Sequence, residues 1–202
     1  MKKTVPVHNH KQRRPLQARA REKVELILEA AIRLLEKGGP AALTTNAVAE
    51  RAGVSIGSLY QYFANKEAIL DALADREVVA MGSRVRDVMA DPSISSPEAR
   101  VAAIVTAVAA SYGDRRGAHR IVMEHSLTRG GARTSPLLME LTAHLAQERD
   151  IGAVRRPLAE TDAFVLTHAF AGVLRAMTTQ ADAPPKEDIA RALAALVNRF
   201  VR

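Results

Sequence analysis

The chain has no cysteine and no tryptophan, and only seven of its 202 residues are aromatic, three tyrosines and four phenylalanines. Without cysteine there is no disulfide framework and no thiolate metal site, and the composition fits a reducing compartment, so a cytoplasmic location is expected. Long apolar runs are also missing. The longest, VAAIVTAVAA at 101–110, falls well short of the roughly 20 residues that span a bilayer. Met1-Lys2-Lys3 is not followed by an apolar stretch, so no secretion leader is expected. Signatures of catalysis are absent too: there is no GxSxG, HExxH, P-loop or dinucleotide fingerprint, and no carboxylate pair in a recognisable catalytic setting. His8 and His10, or His119 and His125, lack the i, i+4 spacing of a helical metal pair, and His144 and His168 stand singly. The expectation is therefore no enzyme, no catalytic residue, no cofactor and no metal.

What is present is helix-forming. Hydrophobic residues make up 48% of the chain, alanine dominates them, and β-branched residues nowhere alternate for long, which predicts an all-α fold. The net charge of +7 is local. Residues 1–23 carry eight Lys or Arg (Lys2, Lys3, Lys11, Arg13, Arg14, Arg19, Arg21, Lys23) against the single acid Glu22, which accounts for all of it. Residues 1–17 are expected to be a disordered basic tail, either a solvated leader or an arm for phosphates.

The densest information lies at 44–70, TTNAVAERAGVSIGSLYQYFANKEAIL. Thr44 can cap a first helix, with Val48 and Ala49 facing inward. Gly53 supplies the left-handed residue of a tight turn, and Val54 fills the angle between two helices. Ser55 is the natural N-cap of a second helix, on which Leu59 and Phe63 share the inward face. That leaves Ile56, Gly57, Ser58, Tyr60, Gln61 and Tyr62 on its flanks and outer side. Asn65 caps a third helix that begins with Lys66, a cation at a helix N-terminus, where the macrodipole opposes it unless an anion such as a phosphate is near. This is a helix-turn-helix. Ile56, Gly57, Ser58, Gln61 and Tyr60 are the candidates for base contacts, and Thr44, Thr45, Ser55, Tyr60, Tyr62 and Lys66 for phosphates.

The matching run Thr44, Val48-Ala49, Ala52-Gly53-Val54-Ser55, Gly57, Leu59-Tyr60, Tyr62-Phe63 and Lys66-Glu67 resembles the DNA-binding domain of the tetracycline-repressor (TetR) family of bacterial regulators, over about residues 19–75. The resemblance implies a homodimer on palindromic operator DNA, with a divergent C-terminal domain that senses a small molecule. It implies domains at 18–64 (reading head) and 65–202 (effector binding and dimerisation), with the helix starting near Asn65 joining them. The function expected is a sequence-specific regulator, a repressor released by its effector. The alternatives are a ligand-independent or partner-controlled DNA binder, and a ligand-binding or interaction protein that has lost operator activity.

Downstream, Asp91-Pro92 breaks the long helix, Ser96-Pro97 starts a fifth, and GDRRG at 113–117 and TRGGARTSP at 128–136 isolate helices near 118–128 and 136–149. Two final amphipathic helices carry the stripes Leu166, Phe170, Val173, Leu174, Met177 and Ile189, Leu193, Leu196, Val197, Phe200. They either pack on the chain's own core or, as the resemblance implies, form an intersubunit four-helix bundle. The second reading makes Leu166, Phe170, Val173, Leu174, Ile189, Leu193, Leu196, Val197 and Phe200 the expected dimer interface. His119, Met123, His144, Phe164 and His168 are the candidate walls of an effector pocket, a mixed apolar lining with few polar handles.

Overall fold

The computed structural model describes residues 13–110, 115–128, 138–140, 142–143, 158–180 and 182–201. Every regular element among them is helical: α1 (Arg13–Ala42), α2 (Thr45–Ala52), α3 (Ile56–Tyr60), α4 (Lys66–Ala90), α5 (Pro97–Ala110), α6 (Arg116–Thr128), α7 (Glu160–Thr179) and α8 (Lys186–Val201). Residues 138–140 and 142–143 are helical as well, inside the helix expected near 136–149. No helix among the described residues is long and apolar enough to cross a membrane.

The chain divides between Ile69 and Leu70 into two compact units, whereas the sequence placed the boundary at 64/65. The reason lies in α4, which runs through the division as one continuous helix.

In the first unit α1 packs on α2 and α2 on α3. Ile27, Leu28, Ala31 and Leu35 repeat along one side of α1 and are buried, together with Leu43, Val48, Leu59 and Ile69. α1 begins at Arg13, so residues 13–17 are helical and the expected tail is shorter by those five. Pro15 is compatible with this start because backbone N–H groups in a first turn have no intrahelical acceptor to lose. At the other end Gly39, at φ 62 and ψ −162, kinks the helix just before Pro40, the break expected from Gly38-Gly39-Pro40.

In the second unit α5 packs chiefly on α8, and α7 touches α5, α6 and α8. Val101, Val105, Leu158, Ala163, Leu166, Ile189, Leu193, Ala194 and Val197 form one buried cluster, with Phe170, Leu174, Leu196 and Phe200 packed against it. Of the nine residues expected at a dimer interface, Leu166, Ile189, Leu193 and Val197 are buried in this cluster, and Phe170, Leu174, Leu196 and Phe200 are partly buried against it. Val173 faces out, 37% exposed. Part of each amphipathic stripe is thus covered within the subunit. The outward side of α7 instead presents Phe164, Val165, His168 and Val173.

A second cluster joins the C-terminal half of α4 to α5: Val85, Ile104 and Val108 are buried, with Met81, Val88, Met89 and Met177 against them. Arg100, 7% exposed, locks this junction. Its guanidinium donates to the carbonyls of Val88 (2.6 Å), Met89 (2.9 Å), Asp91 (3.3 Å) and Ile94 (2.5 Å). A buried cation thus closes acceptors that the end of α4 leaves open, where the helix dipole favours positive charge.

Candidate nucleic-acid interface

The reading unit is built from short-range hydrogen bonds that its sequence specifies. Thr44 Oγ1 accepts from Ala47 N–H at 3.1 Å and caps α2. Gly53 ends that helix at φ 68, its N–H directed at the carbonyls of Ala49 and Glu50, and Val54 N–H donates to Ala49 O at 3.0 Å. Ser55 then caps α3: its Oγ accepts from Ser58 N–H at 3.1 Å and donates to Ser58 Oγ at 3.0 Å. Asn65 Oδ1 accepts from Ala68 N–H at 2.8 Å, so Lys66 is the first residue of α4. Four caps in a row fix where each helix starts or stops.

Leu59 and Phe63 point into the unit's interior and are buried. Opposite them Ile56 (39% exposed) and Tyr60 (52%) are the large side chains on the surface. Gly57, Gln61, Lys66, Thr44 and Ser55 are exposed, and Ser58, Tyr62 and Thr45 half-buried. The ten DNA-contact candidates therefore lie on or beside one short helix and its two flanking caps. One expectation is corrected in detail: α3 ends at Tyr60, and Gln61 and Tyr62 lie in the turn that follows. The N–H groups of Tyr62 and Phe63 both point at Leu59 O, at 3.0 Å, so the helical path tightens there rather than continuing.

The sequence did not reveal a link across the motif. Thr45 Oγ1 and Tyr60 Oη lie 3.3 Å apart, joining the first residue of α2 to the last of α3. Among the described residues, a Cβ built on Gly57 would meet nothing within 4 Å, so none of them requires a glycine there.

Of the effector-wall candidates, His119 and Met123 are buried on α6, while Phe164 and His168 lie on the outward side of α7. Their rings stack on each other, centroids 4.0 Å apart, and His168 Nδ1 is 2.9 Å from Phe164 O. Of the four described candidates two thus face inward and two outward, and His144 lies outside the described residues. Among the described residues no group of His, Cys, Asp or Glu is arranged to hold a metal.

Three capped helices presenting a polar, aromatic edge define a helix-turn-helix protein. Residues 27–73 match the family described as bacterial regulatory proteins, tetR family. A similar curated protein is the HTH-type transcriptional repressor KstR of Rhodococcus jostii, 42% identical over 64 residues, which are 32% of this chain and 30% of the relative. The tetracycline repressor protein class C of Escherichia coli is 47% identical over 51 residues, 25% of this chain and 23% of that protein. The chain thus spans about a third or less of the length of the curated relatives it matches. Likeness of fold extends further: a SmeT–triclosan complex has a TM-score of 0.64 at 23% identity, covering 90% of this chain and 92% of that one. The match to the tetR family of bacterial regulatory proteins thus covers the amino-terminal domain.

Proposed function

We propose that the protein is a sequence-specific DNA-binding transcriptional regulator, a repressor, that acts as a homodimer on a two-fold operator and answers to a small molecule. The carrying observation is the exposed edge of Ile56, Gly57 and Tyr60 on a helix whose start is fixed by Ser55, continued by exposed Gln61 in the turn that follows. In this reading Ile56, Gly57, Ser58, Gln61 and Tyr60 meet base edges in the major groove. Thr44, Thr45, Ser55, Tyr60, Tyr62 and Lys66 hold phosphates. Lys66 gains most from a phosphate, which would relieve the opposition between its charge and the start of α4.

The dimer contact is formed by the last helix pair, where the exposed Phe164, Val165 and Val173 of α7 add apolar area, beside His168, to the partly buried Phe170, Leu174, Leu196 and Phe200. The effector site is carried by the packed pair α6 and α7: Met123 is buried on one, Thr167 on the other, and among the described residues the Thr167 hydroxyl has no hydrogen-bond partner. A ligand that could partner that hydroxyl would relieve a desolvation cost of about 1–3 kcal/mol. SmeT, solved as a complex with triclosan on a similar fold, supports a small molecule as the signal.

The test is selection of a binding sequence from random duplex DNA with the full chain, followed by titration on the selected site. A two-fold symmetric site bound in preference to scrambled DNA is expected. Uniform affinity across sequences would overturn the reading.

A further inference from the structure

α6 meets α4 through two imidazole–carboxylate contacts. His125 Nε2 lies 3.0 Å from Asp71 Oδ1, and His119 Nδ1 lies 3.5 Å from Glu77 Oε2. The spacing is six residues on each helix, in opposite order, so the two pairs lie along an antiparallel crossing. All four side chains are largely withdrawn from water, His119 most of all at 6% side-chain exposure. Isolated surface ion pairs contribute little, but these are shielded and act together.

We infer that α6 clasps α4 through a proton-strengthened latch, in which protonation of His119 and His125 opposite Glu77 and Asp71 tightens the contact between the two helices. Imidazole is the side chain whose ordinary charge change falls between about pH 5 and 8. Glu77 is a fixed charge in the latch. The contact with His119 is the largest influence on it, ahead of burial, which opposes it, and holds the carboxyl below its ordinary 4.5. Stability from Glu77 is therefore fully present above 4.5 and is lost only as pH falls through the lower folded value. Glu77 thus keeps its charge above that value.

Other charged groups near the latch do not supply the same switch. On α4, Arg76 lies 3.6 Å from Glu77 and keeps its charge throughout. On α6 itself, exposed Arg120 and Glu124 approach each other at 3.9 Å. The residues that α7 buries, Ala163, Leu166 and Thr167, are uncharged.

The consequence for regulation rests on the proposed operator binding. α4 begins at Lys66 and carries Asp71 and Glu77 further along the same helix, so whatever fixes α4 there also biases the start of the helix. If the operator-bound and free forms differ in the α4–α6 contact, operator affinity becomes linked to pH.

The test is hydrogen exchange of backbone amides 71–80 in the full chain at about pH 6 and pH 8, corrected for the intrinsic chemical rate. Protection is expected to rise roughly fivefold or more at the lower pH, the ratio that about 1 kcal/mol of pairing corresponds to. The rise should vanish in His119→Gln/His125→Gln. Flat protection in the unaltered protein, or an equal rise in the double variant, overturns the latch. Should that variant fail to fold, Asp71→Asn/Glu77→Gln gives the same reading from the other side, and NMR titration of the imidazoles in the unaltered chain must show both histidines protonating over the interval in which protection grows. Operator titrations at the same two pH values separate the two claims. Protection that responds while no DNA site is bound at either pH keeps the latch and removes the operator reading. Specific binding with flat protection does the reverse.

Discussion

The hydroxyl of Tyr60 stands 3.3 Å from that of Thr45, so the exposed end of α3 is tied to the start of α2. A phenol held at one point before it meets a ligand has less freedom to lose on binding. With its ring half-exposed and its oxygen placed between two helices, Tyr60 is pre-set to reach a phosphate.

Removing the hydroxyl tests that arrangement. Tyr60→Phe is expected to weaken operator binding by about 100-fold or more per dimer, since one hydrogen bond to a charged group contributes about 1.5–3 kcal/mol and each half-site loses one. Thr45→Val should do the same more weakly, and the loss should be similar across operator variants. Thermal unfolding should stay within about 0.5 kcal/mol of the parent, as for other surface changes. Unchanged affinity in both variants would remove these residues from the phosphate set.

Gly57 offers a cleaner separation of folding from recognition. No described residue occupies the space that a Cβ at this position would take, and alanine is the better helix former by roughly 1 kcal/mol. Gly57→Ala should therefore leave the melting temperature unchanged or higher. If DNA approaches the backbone there, the added methyl should lower operator affinity and shift sequence preference at one position per half-site. A stable variant that binds as before would show that no DNA atom comes close to residue 57.

The two faces of the last helix pair make opposite predictions. Leu193 is 3% exposed within its own subunit, so Leu193→Asp buries an unpaired charge and should unfold the second unit rather than release an intact monomer. Phe164 is 55% exposed, so Phe164→Glu should fold normally and shift sedimentation from dimer toward monomer. A Phe164→Glu/Val165→Glu protein that remains a full-strength dimer would place the interface elsewhere.

The junction of α4 and α5 predicts a stability loss that no motif foretells. Arg100→Met keeps the packing volume but strips donors from four carbonyls, and a buried acceptor left unpaired costs about 1–3 kcal/mol. Some of these carbonyls will rehydrate, so a loss of about 2–4 kcal/mol in denaturant unfolding is expected. A change below about 0.5 kcal/mol, as for an ordinary surface site, would mean water substitutes fully.

What could be read in advance follows a physical line. Caps and turns depend on residues within a few positions of each other, so Thr44, Gly53, Ser55, Asn65 and Ser96 could be assigned from sequence, and their hydrogen bonds are present. The stripes of α7 and α8 revealed which sides are apolar but not that α5 packs against part of them. Arg100 and the pairs His125–Asp71 and His119–Glu77 join residues between 6 and 54 positions apart. Periodicity carries no information about such contacts. Tyr60 was identified as a contact residue by its type, yet its link to Thr45, 15 positions away, needed the fold.

The basic end of the chain makes the last prediction. Lys2, Lys3 and Lys11 precede α1, three cations per subunit with no acid among residues 1–12. Each phosphate that a cation neutralises releases counterions, so the slope of log affinity against log salt changes by about 0.9 per contact on duplex DNA. If half of the six cations in a dimer reach phosphates, deleting residues 1–12 should lower the slope's magnitude by about 3. Affinity at low salt should fall by orders of magnitude, whereas the ratio between a specific and a scrambled site should change much less, because phosphate contacts carry no sequence information. Salt titrations of the full-length and shortened proteins on both duplexes measure each quantity separately. Equal slopes would make the segment a solvated leader, and a large loss of discrimination at an unchanged slope would mean that it reads bases or groove width instead.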